Sequence, residues 1–260
     1  MTLLTSRPGR VAALLVYVIS GVLAVPAVFG SPAFDSFATV ANVGNIATSS
    51  SFLAIIAIGM TFFIISGGID LSVGSLFVLG GVLAAYGSQY GFLVALALPL
   101  AVSGLFGLVH GLIIARTGMA PFIVTLAGLL GARGLMLAVS DEGAATYLAE
   151  DPSFALLGQG SVLNVGYPVF AAAVLLGAGM VLLRRTGFGQ NVYAIGGTPL
   201  TGGAGALGGT IAGALLLGVI QNLINPVGNL NASFQQVVSG LFLALVVIAH
   251  RFLGRVRKTE

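Results

Sequence analysis

The chain has 260 residues, 57% of them hydrophobic and only 7% charged, with a net charge of +3 and no cysteine. Soluble chains carry about 25% charged residues, so a soluble domain is excluded and an all-α polytopic membrane protein is implied. The lack of cysteine excludes disulfides, thiol catalysis and thiolate metal sites, and so small a positive charge carries no nucleic-acid signature.

The first segment, MTLLTSRPGR, leads into VAALLVYVISGVLAVPAVFG. That apolar run is longer than the roughly 7–15 residues of a signal h-region, so it reads as a retained first span. Eight spans are predicted in all, at 11–30, 47–65, 73–89, 91–115, 121–140, 166–183, 204–224 and 234–250. They form one transmembrane domain over 1–260: a tail 1–10, a bundle 11–250 with a polar interval at 141–166, and a tail 251–260. Arg7, Arg10, Arg116, Arg184, Arg185, Arg251, Arg255, Arg257 and Lys258 all fall on one side if both termini are cytoplasmic. Asp35, Asp141, Glu142, Glu150 and Asp151 fall on the other, which satisfies the positive-inside rule. The interval 141–166 is then external and reads as a loop with a short surface helix.

The segment 66-SGGIDLSVGS-75 is the most informative. Paired glycines end or kink a helix. A mid-bilayer aspartate costs about 2.5–3.5 kcal/mol on insertion scales, so Asp70 must face protein, water or a helix end. One reading is capping, with Asp70 or Ser72 accepting from free N–H groups at the start of the third span. A second, compatible with it, is a broken helix lining a permeation path, where Ser66, Gly67, Gly68, Asp70 and Ser72 supply irregular backbone and polar groups.

Arg133, in 126-LAGLLGARGLMLAV-139, is the other costly charge. It is expected to snorkel to the interface or to pair with Asp141 or Glu142, with gating as the sharper alternative. His110 has no second ligand at helical spacing, so a hydrogen-bonded packing role is expected rather than a metal site. In 221-QNLINPVGNLNASFQQ-236, Gln221, Asn222 and Asn225 offer amides to a polar solute. The structural alternative is an external turn with Pro226 as breaker and Ser233 as cap.

Two absences bear on energy and recognition. The single lysine, Lys258, lies in the tail, and no G-x-x-x-x-G-K-[ST] occurs, so a P-loop for ATP is missing. Tryptophan is absent too, which leaves no indole platform for stacking a sugar. Paired carboxylates, histidine clusters and Ser/His arrangements do not converge anywhere, and an enzyme is disfavoured.

The runs 55-IIAIGMTFFIISGGIDLSVGS-75, 120-APFIVTLAGLLGARG-134 and 186-TGFGQNVYAIGG-197 resemble the membrane permeases of bacterial ABC importers for monosaccharides. That family serves ribose, xylose, fructose and galactofuranose, and the wording across 53–75 and 186–197 looks most like the galactofuranose type. The tail 198-TPLTGGAGALGGTIAGALLLGVIQNLIN-225 resembles the family's C-terminal region, so the likeness runs from about 47 to 250. The resemblance implies a second permease subunit in a homodimer or heterodimer, a cytoplasmic ABC ATPase carrying ATP and Mg, and an extracytoplasmic sugar-binding protein, all in the bacterial inner membrane system. No cofactor is implied for this chain. It also implies that 66–75 shapes the pathway and that 120–128, with Pro121 and Thr125, frames it.

The stretch 191-NVYAIGGTPLTGG-203 departs from that layout. In the family, a phrase like AIGG and a phrase like IGGTPLTGG are separated by a coupling helix and about two spans, roughly seventy residues with their loops. Here they share one I-G-G, which implies an internal deletion near 195–198. Removing an even number of spans leaves the charge rule intact, so insertion is expected to survive while coupling to ATP hydrolysis suffers. The alternatives are a secondary transporter, for which Asp70 is the one plausible ion-coupling carboxylate within the spans, and a non-transporting remnant.

Overall fold

A computed structural model describes residues 39–197 and 207–224. In chain order the elements are α1 (Val40–Ile65), α2 (Val73–Ser88), α3 (Phe92–Thr117), α4 (Pro121–Val139), a 3-10 turn (Asp141–Gly143) and α5 (Pro152–Gln159). A two-stranded antiparallel ribbon follows, β1 (Ser161–Val162) and β2 (Val165–Gly166), then α6 (Tyr167–Arg185), α7 (Gly187–Ile195) and α8 (Leu207–Ile224). The spans expected at 11–30 and 234–250 lie outside the described residues.

Helices α1, α3, α4 and α6 are each long and apolar enough to cross a membrane. Large apolar side chains such as Leu100, Leu130 and Val174 stand exposed along them, as they do when lipid is the solvent. The helix boundaries have local causes. Gly118 ends α3 in the left-handed region, its N–H donating to the Ile114 carbonyl. Pro121 then opens α4 at a position where a missing N–H costs nothing. Helix α2 has 16 residues, about 24 Å, which falls short of the roughly 30 Å hydrocarbon core.

The chain divides into two compact units, one including Ala54–Thr210 and one including the chain up to Leu53 and from Ile211. In the first, Leu79, Leu83 and Ala132 form a core that joins α2 and α4, with Leu98 and Phe106 of α3 packed on it. A second core gathers Ile58 and Ile65 of α1, Leu183 of α6, Val192 of α7 and Leu207. In the other unit, Asn42 and Asn222 exchange amide hydrogen bonds of 3.0 and 2.9 Å. Ser50 is buried there against Gly218.

The polar interval after α4 is ordered. The Tyr147 hydroxyl donates to the Val139 carbonyl at 3.1 Å, and the Glu150 N–H donates to Ser88 Oγ at 2.9 Å. Tyr86 stacks edge-on with Tyr90 and Tyr147. The Tyr86 hydroxyl bonded to Tyr90 holds the exposed Tyr90 phenol above its ordinary pKa. The expected surface helix is α5, capped by Asp151, whose carboxylate accepts from the Phe154 N–H.

Three expectations are corrected. Helix α1 begins at Val40 rather than 47, because its polar first turns are stabilised by tertiary pairing of Asn42. His110 does pack, but without a hydrogen bond among the described residues: its ring fills the space a side chain at Gly128 would take and meets Phe106 edge-on. Arg133 makes no ion pair with Asp141 or Glu142 or with any other described residue. It lies exposed on α4, and Asp141 and Glu142 sit in the turn beyond the helix with positive φ of 49° and 56°.

Candidate functional site

The break between α1 and α2 is built by a few specific bonds. Gly67 has φ +83° and donates its N–H to the Ile64 carbonyl at 3.0 Å. The Gly68 N–H reaches the Phe63 carbonyl at 3.0 Å. This paired pattern is a Schellman stop, which needs a residue free to adopt positive φ. Gly68 packs closely for a different reason, since a Cβ there would meet the Phe63 ring at 2.5 Å unless that ring moved. Helix α1 therefore ends at Gly67, whose left-handed backbone glycine adopts without strain.

Asp70 starts the next element. One carboxylate oxygen accepts from both the Ser72 N–H, at 2.8 Å, and the Ser72 hydroxyl, at 2.6 Å. This is an Asx-type turn. Of the two capping candidates, Asp70 takes the acceptor role, receiving the Ser72 N–H just before α2, whereas Ser72, with helical φ −78° and ψ −18°, makes no side-chain bond to the first turn. Asp70 is half-buried and Ser72 fully buried.

Helix α4 holds the break from outside. Thr125 is fully buried, and its hydroxyl oxygen lies 3.1 Å from the Leu71 N–H, which it accepts, and 3.3 Å from the Ile69 carbonyl. The hydroxyl thus accepts from backbone after Asp70, while its one hydrogen is shared between the Ile69 carbonyl before Asp70 and the Phe122 carbonyl of its own helix, each at 3.3 Å. Pro121 contributes by fixing the start of α4 one turn before Thr125.

Behind the break sits the end of α7. A Cβ on Gly196 would fall on the Ile65 carbonyl oxygen, and a Cβ on Gly67 would lie 3.5 Å from Gly196 Cα. Helix α7 reaches that position because Thr186 caps it, Gly189 passes close to the Leu182 and Leu183 carbonyls, and Val192 enters the second core. Phe188 of α7 also contacts Phe62 of α1, with ring centroids 6.2 Å apart. Neither α7 nor the bridging role of Thr125 was expected from the sequence.

The structure thus brings Ser66, Gly67, Gly68, Asp70, Ser72, Thr125 and Pro121 to one neighbourhood, with Gly196 added. Gln221 is exposed on α8 and Asn222 is bonded to Asn42, while Asn225 lies outside the described residues. Among the described residues no cluster of metal-ligating side chains occurs. The arrangement is a held-open helix break with polar backbone, and it contains no assembled catalytic group.

The family described as branched-chain amino acid transport system / permease component matches residues 42–201, more than half the chain. The chain belongs to this permease family. Its relatives include the ribose import permease protein RbsC of Haemophilus influenzae, 27% identical over 283 aligned residues, covering 84% of this chain and 87% of that one. The inner membrane ABC transporter permease protein YjfF of Escherichia coli is 31% identical, over 85% of this chain and 86% of its own. The D-allose transport system permease protein AlsC of the same species is 33% identical over 66% of this chain and 53% of its own. No solved structure matches. As a family member with several apolar spans, this permease is a multi-pass inner-membrane transport subunit.

Proposed function

We propose that this permease forms the translocation path of an ABC importer for a monosaccharide. A separate cytoplasmic ATPase supplies the energy, an extracytoplasmic binding protein delivers the sugar, and a second permease subunit completes the path. ATP and Mg belong to the ATPase. The observation that carries the reading is the break at 66–72, braced by Thr125 between two apolar helices. Irregular backbone at membrane depth is stable only where protein buries it or where it borders a water-filled cavity. Ser66, Gly67, Gly68, Asp70 and Ser72 are assigned to the path, with Pro121 and Thr125 framing it and Gln221, Asn222 and Asn225 as further polar candidates.

Ribose and allose, the sugars in the relatives' names, are the first substrates to test, and galactofuranose follows from the wording of 53–75 and 186–197. Arg184 and Arg185 end α6 exposed, and with the basic tail they support cytoplasmic termini and an external 141–166.

The internal deletion is part of the same reading, and alignment lengths support it. The ribose permease alignment occupies 283 positions although this chain has 260 residues. Since 84% of 260 is about 218, about 65 of those positions have no residue here. The family match ends at 201, just beyond the shared I-G-G. The shortened permease is therefore expected to insert but to couple weakly to ATP hydrolysis, which also favours the remnant reading over a secondary transporter.

The test is reconstitution of the chain with its ATPase and binding protein in proteoliposomes, assayed with ribose, allose and galactofuranose. ATP-dependent uptake of one sugar supports the import reading. Uptake that persists without the ATPase and collapses with the proton gradient would replace it by secondary transport. Full binding-protein stimulation of ATPase activity would remove the claim of weak coupling.

A further inference from the structure

Helix α4 presents two unlike faces. Val124, Thr125, Gly128 and Ala132 are buried, bracing the break and closing the first core. The opposite face carries Leu126, Leu130, Arg133 and Leu137, all exposed. A guanidinium on an apolar face of a membrane span needs an explanation, because its surroundings must solvate it.

Snorkelling does not supply one. Arg133 stands six positions before Val139 and twelve after Pro121, so its Cα lies about 9 Å from one helix end and about 18 Å from the other. Helical side chains tilt toward the N-terminus and cover the preceding turn, so the guanidinium leans away from the nearer end. The farther end is beyond the reach of its stem. Nor is there a partner among the described residues, to none of which Arg133 bonds. A second copy related by an axis along the membrane normal would bring another Arg133 to the same depth. Two like charges cannot be sealed together in low dielectric.

We propose that the α4 face bearing Leu126, Leu130, Arg133 and Leu137 borders water within the membrane, with Arg133 donating to acceptor oxygens of a polyhydroxylated solute. The wet face stands on α4 alone; the solute rests on the import reading. Arg is suited to the task, offering five donors in a rigid fork that two neighbouring hydroxyl oxygens can engage.

The absence of native cysteine makes the test direct. Arg133→Cys, Leu126→Cys and Leu130→Cys are made singly in the full chain in membranes, with Leu100→Cys of α3 as an exposed comparator lacking a nearby charge. A membrane-impermeant methanethiosulfonate ethylsulfonate reagent requires a hydrated thiolate, so the α4 thiols should react at least about tenfold faster than the comparator. Equal rates would place the face in lipid and overturn the proposal. Protection from the reagent with formation of a disulfide-linked dimer would show the face sealed by a second copy, and would overturn it too. Leu126→Cys and Leu130→Cys keep the arginine and decide the matter if Arg133→Cys fails to insert. For the solute, Arg133→Gln should raise the half-saturating sugar concentration at least about tenfold, with Arg133→Lys recovering it only in part; unchanged saturation in Arg133→Gln removes the solute contact. Labelling without any uptake leaves the wet face standing and removes the import reading. Uptake without labelling removes the wet face alone.

Discussion

Asn42 and Asn222 lock their side-chain amides in a reciprocal pair, each donating to the other's carbonyl oxygen at 3.0 and 2.9 Å. They are 180 residues apart and join α1 to α8 within one unit. Such bonds fix the register of helices that have no hydrophobic drive to associate. Asn222→Ala should lower stability by about 1 kcal/mol, the scale of interhelical hydrogen bonds in membranes. The double variant Asn42→Ala/Asn222→Ala should cost less than the two singles combined. Thermal unfolding in detergent reads both, and strict additivity would show that the pair is not a unit.

Gly196 makes the tightest approach at the break. Any side chain there meets the Ile65 carbonyl oxygen, which belongs to backbone and cannot rotate aside. Gly196→Ala is expected to cost about 1–3 kcal/mol, as overpacking does. Gly134→Ala is the control, since nothing lies within 4 Å of a Cβ there. Should both variants melt together, the close packing of α7 on the break would be wrong.

The polar interval after α4 depends on Ser88, which donates to the Ala85 carbonyl and accepts from the Glu150 N–H. Ser88→Ala removes that acceptor and should loosen residues near 148–150 without affecting insertion. Limited proteolysis of sealed membranes checks this: the cleavage rate in the interval should rise severalfold while the total inserted protein stays constant.

The four long spans α1, α3, α4 and α6 were legible because long apolar runs leave little choice but to cross a bilayer. What escaped was held by contacts between distant segments. Helix α7 has Gly187, Gly189, Gly196 and Gly197 in or beside it and no long apolar run, and it forms because Val192 enters a core and Gly189 fits beneath two carbonyls. Thr125 lies 54 residues from Leu71, and no local pattern marks a threonine that will serve foreign backbone. The early start of α1 escaped likewise, because Asn42 reads as loop until Asn222 is beside it. At the break itself the glycines and Asp70 were legible, while the direction of the Ser72 hydrogen bond was not: a hydroxyl can donate or accept, and only its neighbour decides.

Asp70 and Thr125 allow structure and transport to be separated at the break. Asp70→Asn keeps a carbonyl oxygen that can accept from Ser72, so the turn should survive with little loss of stability. Asp70→Ala removes the acceptor and should cost about 1–3 kcal/mol, since it orphans a buried donor pair. If the carboxylate charge serves the path, uptake falls in Asp70→Asn although its melting temperature is unchanged. If the side chain only shapes the turn, uptake follows stability across both variants. Thr125→Val is the complementary case: it deprives the Leu71 N–H of its acceptor and should destabilise by a similar amount, whereas Thr125→Ser retains the hydroxyl and should recover most of it. A stable Thr125→Val protein with normal uptake would mean that water or another group satisfies the break, and the bracing assigned to α4 would have to be withdrawn.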